Sequence, residues 1–406
     1  MSEQLAAIIG AGQAAFQAAV NLRNEGYVGR IVMVGDEPCL PYNRPPLCKN
    51  FLAGLIPEER LLLLPRSFFL DLDIDIRTGV TADKLRVSDH VVDFSDGQSL
   101  GFDHLVIATG GRPRKLNIPG VDLPQVHYLR TMADVNGIRR SMQPGARMVL
   151  IGGGYIGLEV AAVARQIGLE VTILEAAPQL LSRITGALVA GFYCDLHQKN
   201  GVEVHCGTSA THIEPDGTAA RVFCNDGKSY PADVVIVAVG MEPNIDLALN
   251  AGIVCNKGIV TDDFCRTSAL DIYAAGDCSE HRSSFYDTQM HLQSVPSAIE
   301  QGRTAASAIC GKLKPLKHVP WFWSDQYDIK LQSAGVVGGH DQILVRGNLE
   351  DRSFAAFYLK GQRLIAMDAV NRPEEFSLSK EWIAAKTPLC IEHIENDAVP
   401  AKQLSA

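Results

Sequence analysis

Two glycine-rich turns give the first indication of chemistry in this sequence. Residues 10–15 form a G-x-G-x-x-A pattern after an apolar segment, and residues 152–157 form a full G-x-G-x-x-G. In such turns the first glycine allows a tight bend, the second lets backbone N–H groups approach a pyrophosphate, and the last small residue packs helix against strand. The sequence therefore predicts two nucleotide sites, whose candidate glycines are Gly10, Gly12, Gly152, Gly154 and Gly157.

An acidic residue follows each turn at the end of the next apolar segment. Asp36 lies 26 positions after Gly10, and Glu175 lies 23 positions after Gly152. A carboxylate there accepts hydrogen bonds from ribose hydroxyls, and Glu175 would also repel the 2′-phosphate of NADPH. Because no arginine follows Glu175 before Arg183, the second site is predicted to prefer NADH.

Glu159 and Lys49 are candidates for direct contact with the reacting rings of the bound cofactors. Glu159 is predicted to lie in the first turn of the helix after the second glycine turn, where it either caps that helix or holds a nicotinamide carboxamide. Lys49 follows the rigid segment 45–48, PPLC. It is either a flavin-facing lysine that stabilises negative charge or a solvated loop lysine. The residues alone leave both alternatives open.

Other kinds of site are not indicated. None of the 11 histidines belongs to an H-E-x-x-H pattern, no G-x-S-x-G turn occurs, and the ten cysteines contain no C-x-x-C pair. These patterns are typical of metal sites, serine hydrolases and clustered thiolates. We therefore expect no metal site, no disulfide framework and no hydrolase chemistry.

The elements that must hold these candidates form a repeated order of strand, glycine turn and helix. The predicted strand segments are 5–9, 31–34, 104–113, 148–151, 171–174, 234–244, 271–275 and 353–359. Strands that alternate with helices indicate parallel sheets. We predict an α/β fold with two Rossmann-like dinucleotide-binding domains, one inserted in the other, and a C-terminal α+β domain. The predicted domains are 1–111 with 244–320, the inserted 112–243, and 321–406.

Composition limits the possible partners. The 406 residues carry a net charge of −9, which argues against a protein that binds the nucleic-acid backbone. The apolar stretches stay far below the roughly 18 residues of a membrane span. The first residues show no signal-peptide pattern. We therefore expect a cytoplasmic protein that binds neither nucleic acid nor a membrane.

Several longer motifs resemble those of one family. They are LPYNRPPL at 40–47, YLRT at 128–131, GGGYIGLE at 152–159, AAGDC at 274–278, SVP at 294–296, WFWSDQY at 321–327 and VNRPEEF at 370–376. On these motifs the chain resembles, from Ile8 to about Phe376, the oxygenase-coupled NADH–ferredoxin reductases. These are FAD enzymes typified by putidaredoxin reductase and by the reductases of biphenyl dioxygenase systems. The resemblance implies two domains of the glutathione-reductase type.

By this resemblance the first domain holds FAD and the inserted domain holds NADH. The residues implied for FAD are Gly10, Gly12 and Ala14 at the pyrophosphate, Asp36 at the adenosine ribose, Val80 at the adenine through its backbone, Asp277 at the ribitol, Val295 at the pyrimidine edge, and Lys49 with Arg130 near the isoalloxazine or the phosphates. Trp323 would lie beside the flavin where the electron acceptor docks. The alternative for Trp323 is a buried core aromatic.

The implied activity is that of an NADH:ferredoxin reductase. NADH would pass a hydride to flavin N5 while Glu159 positions the nicotinamide, and single electrons would leave to a [2Fe–2S] ferredoxin near Trp323. That ferredoxin would serve a cytochrome P-450 or a Rieske oxygenase, and a monomer or weak dimer is expected. Ferredoxins of this class are generally acidic, so docking needs a basic surface, for which the candidates are Arg303, Lys312, Lys314, Lys317 and Lys330.

Two positions depart from the family pattern and keep alternatives open. Cys48 stands where the family commonly has serine, and Gln293 stands where it often has glutamate. Cys48 allows the hypothesis of a flavin NADH oxidase or peroxidase that uses one reactive cysteine. A rubredoxin reductase is a further alternative, and a nucleotide-binding redox sensor is the non-enzymatic one.

Overall fold

The structure, a computed structural model, describes residues 4–182, 184–283 and 285–405. The chain divides into two compact units. Unit 1 comprises the chain up to Asn43, Leu61–Arg112 and Glu242–Pro320; unit 2 comprises Arg44–Arg60, Pro113–Met241 and the chain from Trp321 onward. The segment that carries Lys49 therefore belongs to unit 2.

The secondary structure alternates between strands and helices over most of the chain. The helices are α1 (Gln13–Asn24), α2 (Arg66–Asp71), α3 (Met132–Arg139), α4 (Tyr155–Ile167), α5 (Ala187–Lys199), α6 (Asp246–Asn250), α7 (Val295–Ile309), α8 (Pro373–Ala385) and α9 (Ile391–Ile394), with short 3-10 helices at Pro45–Cys48, Glu58–Arg60 and Ala401–Gln403.

The strands up to the middle of the chain are β1 (Leu5–Ile9), β2 (Arg30–Gly35), β3 (Ile74–Thr78), β4 (Ala82–Arg86), β5 (Val91–Phe94), β6 (Ser99–Gly101), β7 (His104–Ile107), β8 (Gly111–Pro113), β9 (Val126–Tyr128), β10 (Arg147–Ile151), β11 (Glu170–Glu175) and β12 (Val202–Cys206). Those that follow are β13 (Ala210–Asp216), β14 (Ala219–Cys224), β15 (Ser229–Ala232), β16 (Val234–Val237), β17 (Met241–Pro243), β18 (Ile259–Thr261), β19 (Ile272–Ala274), β20 (Ser279–Ser283), β21 (Thr288–Met290), β22 (Trp321–Gln326), β23 (Ile329–Gly335), β24 (Gln342–Asn348), β25 (Ser353–Lys360) and β26 (Arg363–Val370).

Unit 1 is built around a five-stranded parallel sheet in the order β19-β7-β1-β2-β3. Helices α1 and α7 pack together on one face, where four alanines of α1 are buried. The contact is close because the side chains are small: a Cβ added at Gly302 of α7 would lie 2.6 Å from the Ala14 carbonyl oxygen. The other face packs against the antiparallel sheet β4-β5-β6.

Unit 2 contains a second five-stranded parallel sheet, in the order β12-β11-β10-β16-β9. A three-stranded antiparallel sheet, β13-β14-β15, packs against it through a shared apolar core. The chain after residue 320 forms an antiparallel sheet in the order β22-β23-β26-β25-β24, against which α8 packs. Phe354, Phe357 and Tyr358 of β25 are fully buried in that region.

This architecture confirms the fold class predicted from the sequence. The strands at both glycine turns occupy the predicted segments to within one residue. One local expectation is wrong: α4 begins at Tyr155 with Gly154 as its N-cap, so Glu159 lies in the second turn of the helix rather than the first. Because α4 starts directly after Gly154, the Glu159 carboxylate lies beyond the free N–H groups of the first helical turn, and it is buried.

Candidate functional site

The first glycine turn lies at the carboxyl end of the unit 1 sheet. Gly10 has φ +122°, and a Cβ there would lie 2.1 Å from the Ala108 carbonyl oxygen. Gly12 is the N-cap of α1 and has no atom within 4 Å of an added Cβ, so the helix N-terminus is open. An open N-terminus with unpaired N–H groups favours a phosphate, so the turn fits the pyrophosphate of a dinucleotide.

The predicted flavin residues that follow β2 and β19 lie at the same edge of the unit 1 sheet, the edge formed by the carboxyl ends of its parallel strands. Asp36 directly follows β2 and is exposed, next to Gly35, whose added Cβ would lie 2.5 Å from the Ala11 Cβ of the first turn. Asp277 follows Gly276, whose added Cβ would lie 2.9 Å from the Ala14 Cβ. Unit 1 therefore brings the first turn, Asp36 and Asp277 together, as expected for the carboxyl ends of parallel strands.

Val80 and Val295 are held by backbone contacts within unit 1. The Val80 amide donates to the Gly35 carbonyl at 2.9 Å, which ties Val80 to the end of β2. Val295 is the first residue of α7, and the Ser294 side chain before it caps that helix by accepting from the Ser297 amide at 3.3 Å. Val80 therefore lies at the carboxyl end of β2, beside the residue that precedes Asp36, while Val295 opens a helix that packs on α1.

The second glycine turn repeats this arrangement in unit 2. Gly152 has φ +112°, and a Cβ there would lie 2.4 Å from the Ala238 carbonyl oxygen, while Gly154 is an open N-cap. A Cβ added at Gly157 would lie 2.3 Å from the Gly152 carbonyl oxygen, so only glycine fits there. This turn also fits a dinucleotide pyrophosphate.

Glu175 is fixed beside the second turn by two backbone donors. Its Oε2 accepts from the Gly153 amide at 2.6 Å, and its Oε1 accepts from the Ala177 amide at 2.7 Å. Each carboxylate oxygen has a second lone pair. Glu175 is thus oriented in advance and still able to accept hydrogen bonds from ribose hydroxyls.

Glu159 and Lys49 form a buried ion pair. The Lys49 Nζ lies 2.7 Å from Glu159 Oε2, and the Cys48 Sγ donates to the same oxygen at 2.8 Å. Glu159 is only 4% exposed, and Cys48 is also buried. The solvated-loop interpretation of Lys49 and the capping interpretation of Glu159 are therefore both wrong, because tertiary packing brings the two residues together.

The charges in this cluster follow from burial and from Glu159. Burial disfavours the Lys49 ammonium, but the ion pair and hydrogen bond with Glu159 favour it, and the pKa of Lys49 is raised. Burial raises the pKa of the Cys48 thiol well above its usual range, and the negative charge of Glu159 adds to the shift. Since a thiol must ionise to act as a nucleophile, this environment disfavours a redox role for Cys48.

Sequence reasoning missed Ser324, which completes the surroundings of Glu159. Its Oγ donates to Glu159 Oε1 at 2.6 Å and is fully buried. Ser324 lies within the WFWSDQY motif, which drew attention only through Trp323. Successive side chains of a strand point to opposite faces, so Ser324 of β22 lies on the face opposite to Trp321 and Trp323. This alternation was the signal in the sequence that could have found Ser324.

Arg130 and Trp323 also lie in unit 2. The Arg130 carbonyl accepts from Arg44 Nη1 at 2.9 Å, next to the capping box that Thr131 and Asp134 form at the start of α3. Trp323 is partly exposed, with its ring centroid 5.7 Å from that of Trp321, so it is not a fully buried core residue.

The candidate basic residues are largely neutralised by local acids. Arg303 pairs with Glu300 at 3.0 Å, while Lys312 and Lys314 both pair with Glu25, at 2.9 and 2.7 Å. Lys317 is exposed in unit 1, and Lys330 is exposed on β23 of unit 2. These pairings weaken the hypothesis of one strongly basic docking surface.

In residues 4–182, 184–283 and 285–405, no group of three or more His, Cys, Asp or Glu side chains is placed to hold a metal ion. Over the same residues, no helix is both long enough and apolar enough to cross a membrane.

Comparison with known families agrees with this geometry. Residues 6–302 match the pyridine nucleotide-disulphide oxidoreductases, and residues 321–405 match the family described as reductase C-terminal. The chain belongs to the pyridine nucleotide-disulphide oxidoreductases. It is therefore an oxidoreductase, and membership implies a flavin and a nicotinamide cofactor, which the two glycine turns fit.

Individual relatives of this oxidoreductase are similar over nearly their whole length. Putidaredoxin reductase CamA of Pseudomonas putida is 40% identical over 405 residues, 98% of this chain and 96% of that protein. The crystal structure of the covalent putidaredoxin reductase–putidaredoxin complex matches with a TM-score of 0.95 at 40% identity, covering 99% of this chain and 98% of that chain. A rubredoxin-NAD(+) reductase of Pseudomonas putida is 36% identical, over 90% of this chain and 96% of that protein. The resemblance to NADH–ferredoxin reductases is confirmed.

Proposed function

We propose that the protein is an FAD-dependent NADH:ferredoxin reductase that supplies electrons to a cytochrome P-450 or Rieske oxygenase. The observation that carries this proposal is the buried Lys49–Glu159 pair, since Glu159 lies on the helix that opens at the second glycine turn. A carboxylate held at that place by Lys49 and Ser324 suits the carboxamide N–H of a nicotinamide. When bound, FAD would accept a hydride from NADH and return electrons singly.

The chain's own residues bind and orient rather than transfer protons. Glu175 would accept from the ribose hydroxyls of NADH, and the open N-terminus of α4 would bind its pyrophosphate. Lys49 supplies the counter-charge of the Glu159 carboxylate, which would otherwise be buried without one. Alignment of NADH is therefore the main contribution proposed for unit 2.

The proposal includes a [2Fe–2S] ferredoxin as acceptor and a cytoplasmic location, where NADH is produced. Support for the acceptor side comes from an aromatic group on unit 2, in which Trp321 lies beside Trp323 and the Lys380 ammonium lies 5.2 Å from the Trp321 ring. Partly exposed tryptophans beside a cation are common in contact surfaces of proteins. Rubredoxin is the second acceptor to test, because a rubredoxin reductase is among the relatives.

The deciding experiment follows NADH oxidation by the purified flavoprotein in air. Turnover is measured alone, with a [2Fe–2S] ferredoxin plus cytochrome c, and with rubredoxin plus cytochrome c. Slow turnover alone and strong stimulation by ferredoxin are expected. Stimulation by rubredoxin only would change the acceptor, and fast oxidation by oxygen without stimulation would replace the reductase by an oxidase.

The acceptor surface has its own test. Trp323→Ala is expected to lower kcat/KM for ferredoxin by about tenfold, as for a contact residue at the centre of an interface. The same variant is assayed with ferricyanide, a small acceptor that needs no docking surface, where a smaller loss is expected. Equal losses with both acceptors would remove Trp323 from the docking surface.

A further inference from the structure

A line of hydrogen bonds leads from Glu159 through unit 2 to Tyr327. Ser324 Oγ lies 2.6 Å from Glu159 Oε1, and Gln326 Nε2 lies 3.1 Å from Ser324 Oγ. The His197 Nε2 lies 2.9 Å from Gln326 Oε1, and the Tyr327 hydroxyl lies 3.2 Å from His197 Nδ1. Three elements meet in this line: α4 supplies Glu159, α5 supplies His197, and β22 with the turn after it supplies the rest.

The line is buried at every position except its outer end. Ser324 and His197 are fully buried, Gln326 is 1% exposed, and Tyr327 is half-buried. A buried polar group without a partner is costly, so such residues persist in a core only where each finds one. Here every polar side-chain atom between Glu159 and Tyr327 has a partner within the line.

The hydrogen-bond directions are fixed by the chemistry of the groups. Burial lowers the pKa of His197 to about 4, so its ring is neutral at pH 7, with one donor and one acceptor nitrogen. Because the Gln326 amide oxygen can only accept, His197 Nε2 is the donor to it, and the other ring nitrogen, Nδ1, accepts from the Tyr327 hydroxyl. The contact with Nε2 turns the Gln326 amide nitrogen toward Ser324, whose oxygen accepts from it. The Ser324 proton is then left for Glu159.

We propose that Ser324, Gln326 and His197 are positioning residues that set the orientation of the Glu159 carboxylate toward the nicotinamide carboxamide. This inference rests on the proposed function and extends it. Lys49 and Cys48 hold Oε2 from one side, and Ser324 holds Oε1 from the other. With both oxygens fixed, the carboxylate plane has one orientation. The domain after residue 320 thereby contributes to NADH binding through Ser324.

Binding of NAD⁺ and of its 3-acetylpyridine analogue tests this role at equilibrium. The analogue carries a methyl ketone in place of the carboxamide and has no N–H to donate to Glu159. Calorimetric titrations of the oxidised holoprotein compare the parent with Ser324→Ala and Gln326→Met. Ser379→Ala is the matched control, because Ser379 is also fully buried but donates to the Phe376 carbonyl on α8.

Ser324→Ala is expected to weaken NAD⁺ binding about tenfold, the effect of one hydrogen bond to a charged group, and to leave the analogue within about twofold. Gln326→Met is expected to weaken NAD⁺ binding less than Ser324→Ala does, again with little effect on the analogue. Ser379→Ala is expected to change the binding of neither nucleotide. Equal weakening of NAD⁺ and the analogue, or unchanged NAD⁺ binding in both variants, would overturn the positioning role. Failure of the parent to pass electrons from NADH to ferredoxin would instead overturn the proposed function, and it is seen without any variant.

The histidine supplies a readout that does not depend on turnover. In ¹⁵N-histidine spectra the parent is expected to show His197 as the neutral Nε2–H tautomer, with no protonation down to about pH 5. Gln326→Met removes the acceptor of that proton and is expected to shift the tautomer ratio. A parent ring protonated at pH 7, or a fixed Nδ1–H tautomer, would contradict the line of donors.

Discussion

The two glycine turns share a backbone and differ in how tightly they are built. Both begin with a glycine of positive φ packed on a carbonyl oxygen, and both place an open glycine at the helix N-cap. The first turn has room for the buried methyl of Ala15, whereas an added Cβ at Gly157 would lie 2.3 Å from the Gly152 carbonyl oxygen. The second turn therefore leaves no room for a methyl group at its last small residue, whereas the first turn does.

The acidic residue that follows the second turn, Glu175, is also held more firmly than Asp36, which follows the first. Both oxygens of Glu175 accept backbone N–H groups, while Asp36 is exposed, and its carboxylate accepts no hydrogen bond within the residues that the structure describes. A cofactor that stays bound can supply its own ordering contacts. A substrate that binds and leaves in every cycle gains from a site that is already ordered, because less entropy is lost on binding. The difference fits a resident flavin at the first turn and exchanging NADH at the second.

The largest expected effect comes from closing each turn with a methyl group. Gly10→Ala should release the flavin, because its Cβ would overlap the Ala108 carbonyl and the residue has positive φ. Gly152→Ala should keep the flavin colour but raise the KM for NADH about a hundredfold. Absorbance of the purified variants and steady-state kinetics distinguish the two. The helical Gly191→Ala, which has open space around the new Cβ, is the control.

Exchanging the last small residue of each turn, Ala15 or Gly157, tests whether the second turn leaves less room for a methyl group than the first. Gly157→Ala should raise the KM for NADH about tenfold, because α4 must move to admit the methyl group. Ala15→Gly should only lower the free energy of unfolding by about 1–2 kcal/mol, through a lost buried methyl and a more flexible helix. Denaturant titrations and NADH kinetics give both numbers. Similar KM values for Gly157→Ala and the parent would show that the turns are equally tolerant.

The acids should differ in what they control. Glu175→Gln removes the negative charge that repels a 2′-phosphate, so the preference for NADH over NADPH should fall about tenfold. Asp36→Asn should change flavin retention less than that, because Asp36 is exposed to solvent. The ratio of kcat/KM for the two reduced nucleotides and a flavin-release titration are the measurements. An unchanged preference for NADH over NADPH in Glu175→Gln would show that Glu175 only holds the backbone of the turn and does not contact the nucleotide.

The smallest effect is expected at Cys48, which contacts the second site through Glu159. Cys48→Ser should leave ferredoxin reduction within about twofold, because a serine hydroxyl can donate to Glu159 as the thiol does. The oxidase hypothesis instead requires that NADH oxidation by oxygen disappear in this variant. Oxygen consumption and ferredoxin reduction, measured side by side, decide between them.

Local patterns were enough to predict most of the fold. The strands at β1 and β10, the turns after them and the acids Asp36 and Glu175 lie where the sequence placed them. Apolar runs, glycine spacing and a terminal acid act within about 30 residues, which is the length of one βαβ unit. Glu159 was predicted in the first turn of α4 and lies in the second, because the residue at which a helix starts depends on cap geometry.

The sequence by itself determined that the chain has two nucleotide turns of known type, because each turn is encoded by residues that are neighbours in the chain. Only the tertiary structure decided that Lys49, Glu159 and Ser324 meet, since they are separated by 110 and 165 positions and lie on different elements. Contacts of this kind depend on packing between distant segments, which no local periodicity encodes. Burial then turned an ordinary lysine and glutamate into a fixed ion pair.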